Sequence, residues 1–152
     1  MRAVVQRVTS ARVTVGDRES GRIDRGLLAF VGVERGDRPA DAEYIAGKIG
    51  SLRIFEDPAD PARHLDRSVR DIGGAVLLVS QFTLTADCRK GRRPSLDDAE
   101  APQRAKPLVE EVLRGLRNAG VPVQTGEFQA AMQLSLVNDG PVTVLLDSRR
   151  RF

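Results

Sequence analysis

The most constraining stretch is 26–33, Gly-Leu-Leu-Ala-Phe-Val-Gly-Val, which offers no polar position. An amphipathic helix or a half-solvated strand needs polar residues at regular intervals. A short apolar run behind a turn glycine reads instead as a central strand covered on both faces. Such a strand requires a layer on each side of it. A second run, 75–84 (AVLLVSQFTL), makes the same demand and turns polar toward its end.

The flanking periodicities supply the layers. Residues 2–8 and 11–15 read as strands, the second with Ala11, Val13 and Val15 on one face. From residue 37 the period changes: Ile45, Ile49 and Leu52 fall on one helical face, and Asp37 is a plausible N-cap. In 101–120, Val109, Val112, Leu113 and Leu116 follow helical spacing, Pro102 suits a first turn, and Gly120 is a natural stop. Pro107 lies deeper and would lose a helical hydrogen bond, which predicts a kink or a late start. Three further strands are predicted at 122–126, 132–138 and 142–147. The order lacks regular βαβ alternation. It predicts one α/β domain over 1–152, with a mixed or largely antiparallel β-sheet and two main helices.

Composition excludes several classes. At 41% hydrophobic and 30% charged residues, the chain can bury a core. No apolar run approaches the ~20 residues of a membrane span, so no membrane association is expected. The start, MRAVVQRVTS, lacks an apolar signal region, and a cytoplasmic location is expected. Cys88 is the only cysteine and His64 the only histidine, which leaves no intramolecular disulfide, no cysteine-based zinc cluster and no multi-histidine metal site. No metal and no cofactor are expected.

The net charge of +3 is unevenly spread. Arg89, Lys90, Arg92 and Arg93 crowd one segment, and Arg149, Arg150 and Arg151 another near the end. These are either solvated charge or contacts to phosphates. Aromatics at 4% argue against a broad base-stacking platform.

Ordinary catalytic sets are missing: there is no phosphate-binding glycine loop, dinucleotide fingerprint or serine elbow. His64 lies in a polar, loop-like segment. Cys88 sits beside Arg89 and Lys90 but has no partner base in view. Asp97-Asp98 and Glu110-Glu111 read as solvated charge. Two stretches resist such accounts. In SQFTL (80–84), polar residues interrupt a buried strand, where strand ends often form the mouth of a cleft. In SLVNDGPVTVLL (135–146), Asn138-Asp139-Gly140 reads as a hairpin turn, but Pro141 stands where the next strand should begin.

Together, SQFTL and NDGPVT resemble the signature pair of the D-aminoacyl-tRNA deacylases. The resemblance extends to VVQRVTSARVTV, GLLAFVGVE, RIF, KGRRPSL and MQLSLVNDGPVT in the same order, over about 1–147. It implies a barrel-like sheet and hydrolysis of the ester between a D-amino acid and the 3′-terminal adenosine of tRNA, with glycine mischarged on tRNA also a substrate. It also implies a homodimer with active sites at the interface, where a cis Gly140-Pro141 step enters the partner's pocket. On this resemblance, Ser80, Phe82 and Thr83 carry catalysis, with the N–H groups of Phe82 and Thr83 expected to hold an oxyanion. Gln81, Gly140, Pro141, Phe128 and Met132 bind the aminoacyl-adenosine, and Arg89, Lys90, Arg92 and Arg93 contact tRNA phosphates. The alternative is a non-catalytic tRNA-binding module on the same fold. The sequence departs from the pattern at Leu96, where a phenylalanine is usual, at Pro107, and in the 149–152 tail. None of these falls in the two motifs.

Overall fold

The computed structural model describes residues 1–60 and 62–152. Six strands form one mixed sheet: β1 (Arg2–Val15), β2 (Arg18–Ile23), β3 (Gly26–Gly32), β4 (Ala75–Ser80), β5 (Val123–Thr125) and β6 (Gln133–Asp147). Strand β1 pairs antiparallel with β2, β3 and β6, while β3–β4 and β4–β5 are parallel. The two ends of the path β2-β1-β3-β4-β5 approach each other, since the Ser20 hydroxyl donates to the Thr125 carbonyl at 3.4 Å. A Cβ at Gly21 would lie 2.6 Å from that carbonyl oxygen, so glycine is what lets the sheet nearly close.

The 26–33 run behaves as its composition demands. Leu27, Ala29 and Val31 face the cluster beneath the helices, whereas Leu28 faces a second cluster with Val8, Val13, Leu77 and Val79. All four β3 residues are fully buried, and each buried aliphatic side chain contributes ~1.5–3 kcal/mol. Helices α1 (Pro39–Ser51) and α2 (Pro102–Asn118) close the first cluster through Ile45, Ile49, Val112 and Leu116.

Several boundaries differ from expectation. The strands predicted at 2–8 and 11–15 are one continuous β1, because pairing with β6 continues across the polar residues between them. Helix α1 is capped by Arg38, not Asp37; the Asp41 carboxylate accepts the Arg38 N–H at 2.8 Å. Asp37 is buried elsewhere and accepts the Met1 amino group at 2.8 Å and the Glu34 N–H at 2.7 Å. Pro107 lies inside α2, which nonetheless starts at Pro102. The 75–84 strand ends at Ser80, and Phe82–Thr85 form a 3-10 turn.

The strands predicted at 132–138 and 142–147 are also one strand, β6, paired with β1 on both sides of the interruption. Val8 pairs with Asn138 and Gln6 with Thr143, so 139–142 bulge out opposite Arg7 alone. The Asn-Asp-Gly turn is therefore an excursion within a strand, not a hairpin end. The Asn138 side chain closes its base, accepting the Val142 N–H at 3.2 Å and donating to the Thr143 hydroxyl at 3.1 Å.

Candidate active site

Ser80 is the last β4 residue paired with β3. The Gln81 N–H then donates to the Val31 carbonyl at 2.8 Å, and the chain turns into Phe82–Thr85. Thr85 is buried and its hydroxyl donates to the Phe82 carbonyl at 2.7 Å. Beneath the turn, a Cβ at Gly32 would lie 2.8 Å from the Gln81 oxygen and 3.0 Å from Leu84 Cβ. On the other side Arg2 donates to the Leu84 carbonyl at 3.0 Å and pairs with buried Glu34 at 2.7 Å. The turn is thus held from below and behind. The first N–H groups of a helical turn have no partner within it, and among the described residues those of Phe82 and Thr83 make no hydrogen bond. Two donors are left at a strand end.

A cavity of about 680 Å³ opens at this strand end. Ser80, Gln81 and Phe82 form one side, and Phe128 and Met132 the other. Five of the residues expected at the site therefore meet in one place. Thr83 is on the same turn but does not line the cavity; its hydroxyl accepts a hydrogen bond from the Gln81 amide. The remaining wall includes Leu96, Ala99 and Glu100 from the segment before α2, and Pro102 and Ala105 from α2 itself. Sequence reasoning gave none of these a place at the site, since the irregular segment before α2 has no periodicity to read. Leu96, the departure from the resemblance, is thus a cavity residue.

Gly140 and Pro141 are exposed and do not line their own chain's cavity. Their peptide bond is cis, and Gly140 has φ +121°. Arg7 holds this excursion, as its Nε donates to the Asp139 carbonyl and its Nη1 to the Ile54 carbonyl.

The basic segment lies beside the cavity wall, closed at its base by Asp87 and Ser95, which exchange backbone hydrogen bonds at 2.9 Å. Arg89 turns back onto Asp87 in a two-pronged pair at 2.9 and 2.7 Å. The Arg89 side chain and N–H hold the Asp87 carboxyl down at about 2. Lys90, Arg92 and Arg93 are exposed and make no ion pair among the described residues. The second basic cluster is structural: Arg149 pairs with Asp37, and Arg151 with Glu34 and Asp147. His64 and Cys88 are exposed and lie outside the cavity. Among the described residues, no three His, Cys, Asp or Glu side chains are grouped to hold a metal. Among the described residues, no helix is long and apolar enough to cross a membrane.

A largely apolar cavity beside unbonded backbone donors can position a substrate and hydrogen-bond a developing negative charge. Comparison with known proteins shows the family. The family profile described as D-Tyr-tRNA(Tyr) deacylase matches residues 4–147. The chain is 55% identical to a D-aminoacyl-tRNA deacylase of Koribacter versatilis and 53% identical to one of Syntrophobacter fumaroxidans, each over 152 residues and the full length of both chains. A solved structure titled c-Myc DNA Unwinding Element Binding Protein superposes with a TM-score of 0.91 at 39% identity, covering 97% of this chain and 98% of that one. A probable eukaryotic D-amino acid tRNA deacylase shares the fold, with a TM-score of 0.82 at 18% identity, covering 95% and 97%. The chain belongs to the D-aminoacyl-tRNA deacylase family.

Proposed function

We propose that this protein hydrolyses the ester between a D-amino acid and the 3′-terminal adenosine of tRNA. The observation that carries the reading is the cavity that brings Phe82, with its unbonded N–H, together with Phe128 and Met132, the unbonded Thr83 N–H following on the same turn. The terminal adenosine sits against Phe128 and Met132, and the ester carbonyl lies at the turn. Water adds to the carbonyl carbon and the two N–H groups hold the oxyanion. The bond to the ribose 3′-oxygen then breaks, the leaving oxygen taking a proton with help from the neighbouring 2′-hydroxyl. Ser80 orders water or substrate. One such donor typically contributes ~10²–10³ in rate.

Chirality is set by a second copy of the chain. In the homodimer, Gly140 and Pro141 enter the partner's cavity and face the α-carbon, so an L-side chain meets main chain and a D-side chain does not. Glycyl-tRNA, with no side chain to exclude, is accepted as well. Exposed Val137 and Leu145, on either side of the excursion at 56% and 58%, support a covered face there. Lys90, Arg92 and Arg93 contact tRNA phosphates, and Arg89 does so only when released from Asp87.

A non-catalytic tRNA-binding module is the second reading, favoured by the exposed basic loop and by the DNA-binding name of the 39%-identical protein. Deacylation of matched D- and L-tyrosyl-tRNA separates the two, with a Gly140/Pro141 double variant as control. Hydrolysis of the D-ester alone is expected. Equal, negligible rates on both would leave the binding module.

A further inference from the structure

Phe128 is a wall shared by three hollows. Besides the 680 Å³ cavity, it lines a groove of about 460 Å³ between α2 and the ends of β4 and β5, and a recess of about 350 Å³ against the first turns of α2. Ser80 lines both cavity and groove, so the groove leads directly away from the candidate site. Lys106 lines both groove and recess, is exposed, and makes no ion pair among the described residues. The carboxylates on the same surface are Glu110 and Glu127, and Glu127 is already paired with Arg18.

Pro107 adds an acceptor to this surface. Proline has no N–H, so the Gln103 carbonyl, four residues earlier, lacks the donor that a regular helix supplies. Gln103 and Pro107 both line the recess. Among the described residues, the surface therefore combines a cation and a carboxylate without ion pairs, Lys106 and Glu110, an aromatic side chain, and a main-chain carbonyl that lacks its regular helical donor.

We propose that the groove and recess hold the nucleotide immediately 5′ of the terminal adenosine, with its phosphate on Lys106 and its base edge on Glu110 and the Gln103 carbonyl. This rests on the cavity being the aminoacyl-adenosine site. A tRNA 3′ end is a single strand whose penultimate nucleotide is cytidine. Single-stranded bases are bound by stacking and by hydrogen bonds to their exposed edges. Cytosine presents an exocyclic amino donor, which a carboxylate or carbonyl accepts, and a cation makes the stronger, charge-assisted contact to a phosphodiester. The groove thus matches a nucleotide carrying an amino group, where uracil would offer a carbonyl instead.

The test compares two D-tyrosyl esters, one on adenosine alone and one on the dinucleotide cytidylyl-adenosine. For the unmodified protein, kcat/KM is expected to rise ~10-fold from the first to the second. In Lys106→Glu the rise disappears while hydrolysis of the adenosine ester stays within ~2-fold. Pro107→Ala, which restores the helical N–H, reduces the rise and leaves the fold intact. No rise in the unmodified protein, a rise that persists in Lys106→Glu, or an equal loss on both esters overturns the subsite. A protein inactive on both esters and on D-tyrosyl-tRNA overturns the reading of the cavity itself, and the subsite with it.

Discussion

The Arg7 guanidinium meets Asp139 twice: Nε donates to the main-chain carbonyl at 3.1 Å and lies 3.2 Å from the carboxylate. The same side chain donates through Nη1 to the Ile54 carbonyl at 2.7 Å. One residue of β1 therefore ties the 139–142 excursion to the segment that follows α1. Its side chain is only 13% exposed, so these bonds are poorly replaced by water.

Arg7→Ala is expected to lower single-turnover hydrolysis of D-tyrosyl-tRNA by ~10–100-fold, because a misplaced positioning element loses the productive geometry. The sheet should survive, since β6 stays paired with β1 on both sides of the excursion. Arg7→Lys keeps the charge but not the fork and should fall between. Circular dichroism and rate measurement on the same samples check this. A folded Arg7→Ala of full activity would show that the excursion needs no clamp.

Thr83→Ala should retain hydrolysis within ~3-fold. Its hydroxyl accepts from the Gln81 amide, which is no base, and among the described residues no base is hydrogen-bonded to it. Alanine keeps the main-chain N–H that the proposed mechanism uses. A single-turnover loss of ~10³ would restore Thr83 as the reacting group.

Asp87 and Arg89 make a prediction about salt. With its carboxyl held at about 2, Asp87 is ionised throughout the neutral range and cancels Arg89. Each phosphate contact steepens the log–log dependence of tRNA affinity on salt by ~0.7–0.9. Arg92→Gln and Arg93→Gln should each flatten that slope by about one contact, for every tRNA alike, whereas Asp87→Asn should steepen it. Filter binding across a salt series reads all three. A base-specific effect of Arg92→Gln would count against a phosphate role.

Much of this was legible in the chain. The all-apolar 26–33 run fixed a doubly covered strand, and helical spacing at Val109, Val112 and Leu116 fixed the buried face of α2. The SQFTL motif pointed to Ser80, Gln81 and Phe82, and the wider resemblance to Phe128 and Met132; the five line one cavity. Boundaries set by partners were not legible. The join of 132–138 to 142–147 depends on β1 pairing beyond the bulge, and no local pattern reports a partner strand. Asp37 has the side chain of an N-cap but is claimed by the Met1 amino group and Arg149. Leu96 lines the cavity next to Ser95, whose backbone pairs with Asp87 across the basic loop, a non-local pairing that the sequence does not display.

The arginine tail supplies the last test. Glu34 is 2% exposed and binds Arg151 together with Arg2, while Asp147, at 3%, binds Arg151 and the Arg149 N–H. Arg151→Gln leaves both carboxylates short of a partner. Breaking a fully buried pair costs ~3–5 kcal/mol. Arg151 is 40% exposed, so solvent screening reduces the expected loss to ~1–2 kcal/mol. At ~2–4 °C per kcal/mol for a domain of this size, Tm should fall by ~2–8 °C. The pH dependence has a definite sign. Burial pushes the Asp147 carboxyl up, but the Arg151 side chain and the Arg149 N–H outweigh it and hold it below its ordinary value. A carboxyl lowered in the folded state contributes stability that is present above its unfolded pKa, ~3.9, and lost as pH falls through the folded value. The Tm difference between the unmodified protein and Arg151→Gln should therefore be constant from pH 5 to 8 and shrink below about pH 4. Thermal melts from pH 3 to 8 measure it, and a difference that stays constant down to pH 3 would show that Asp147 and Arg151 are not coupled in the folded protein.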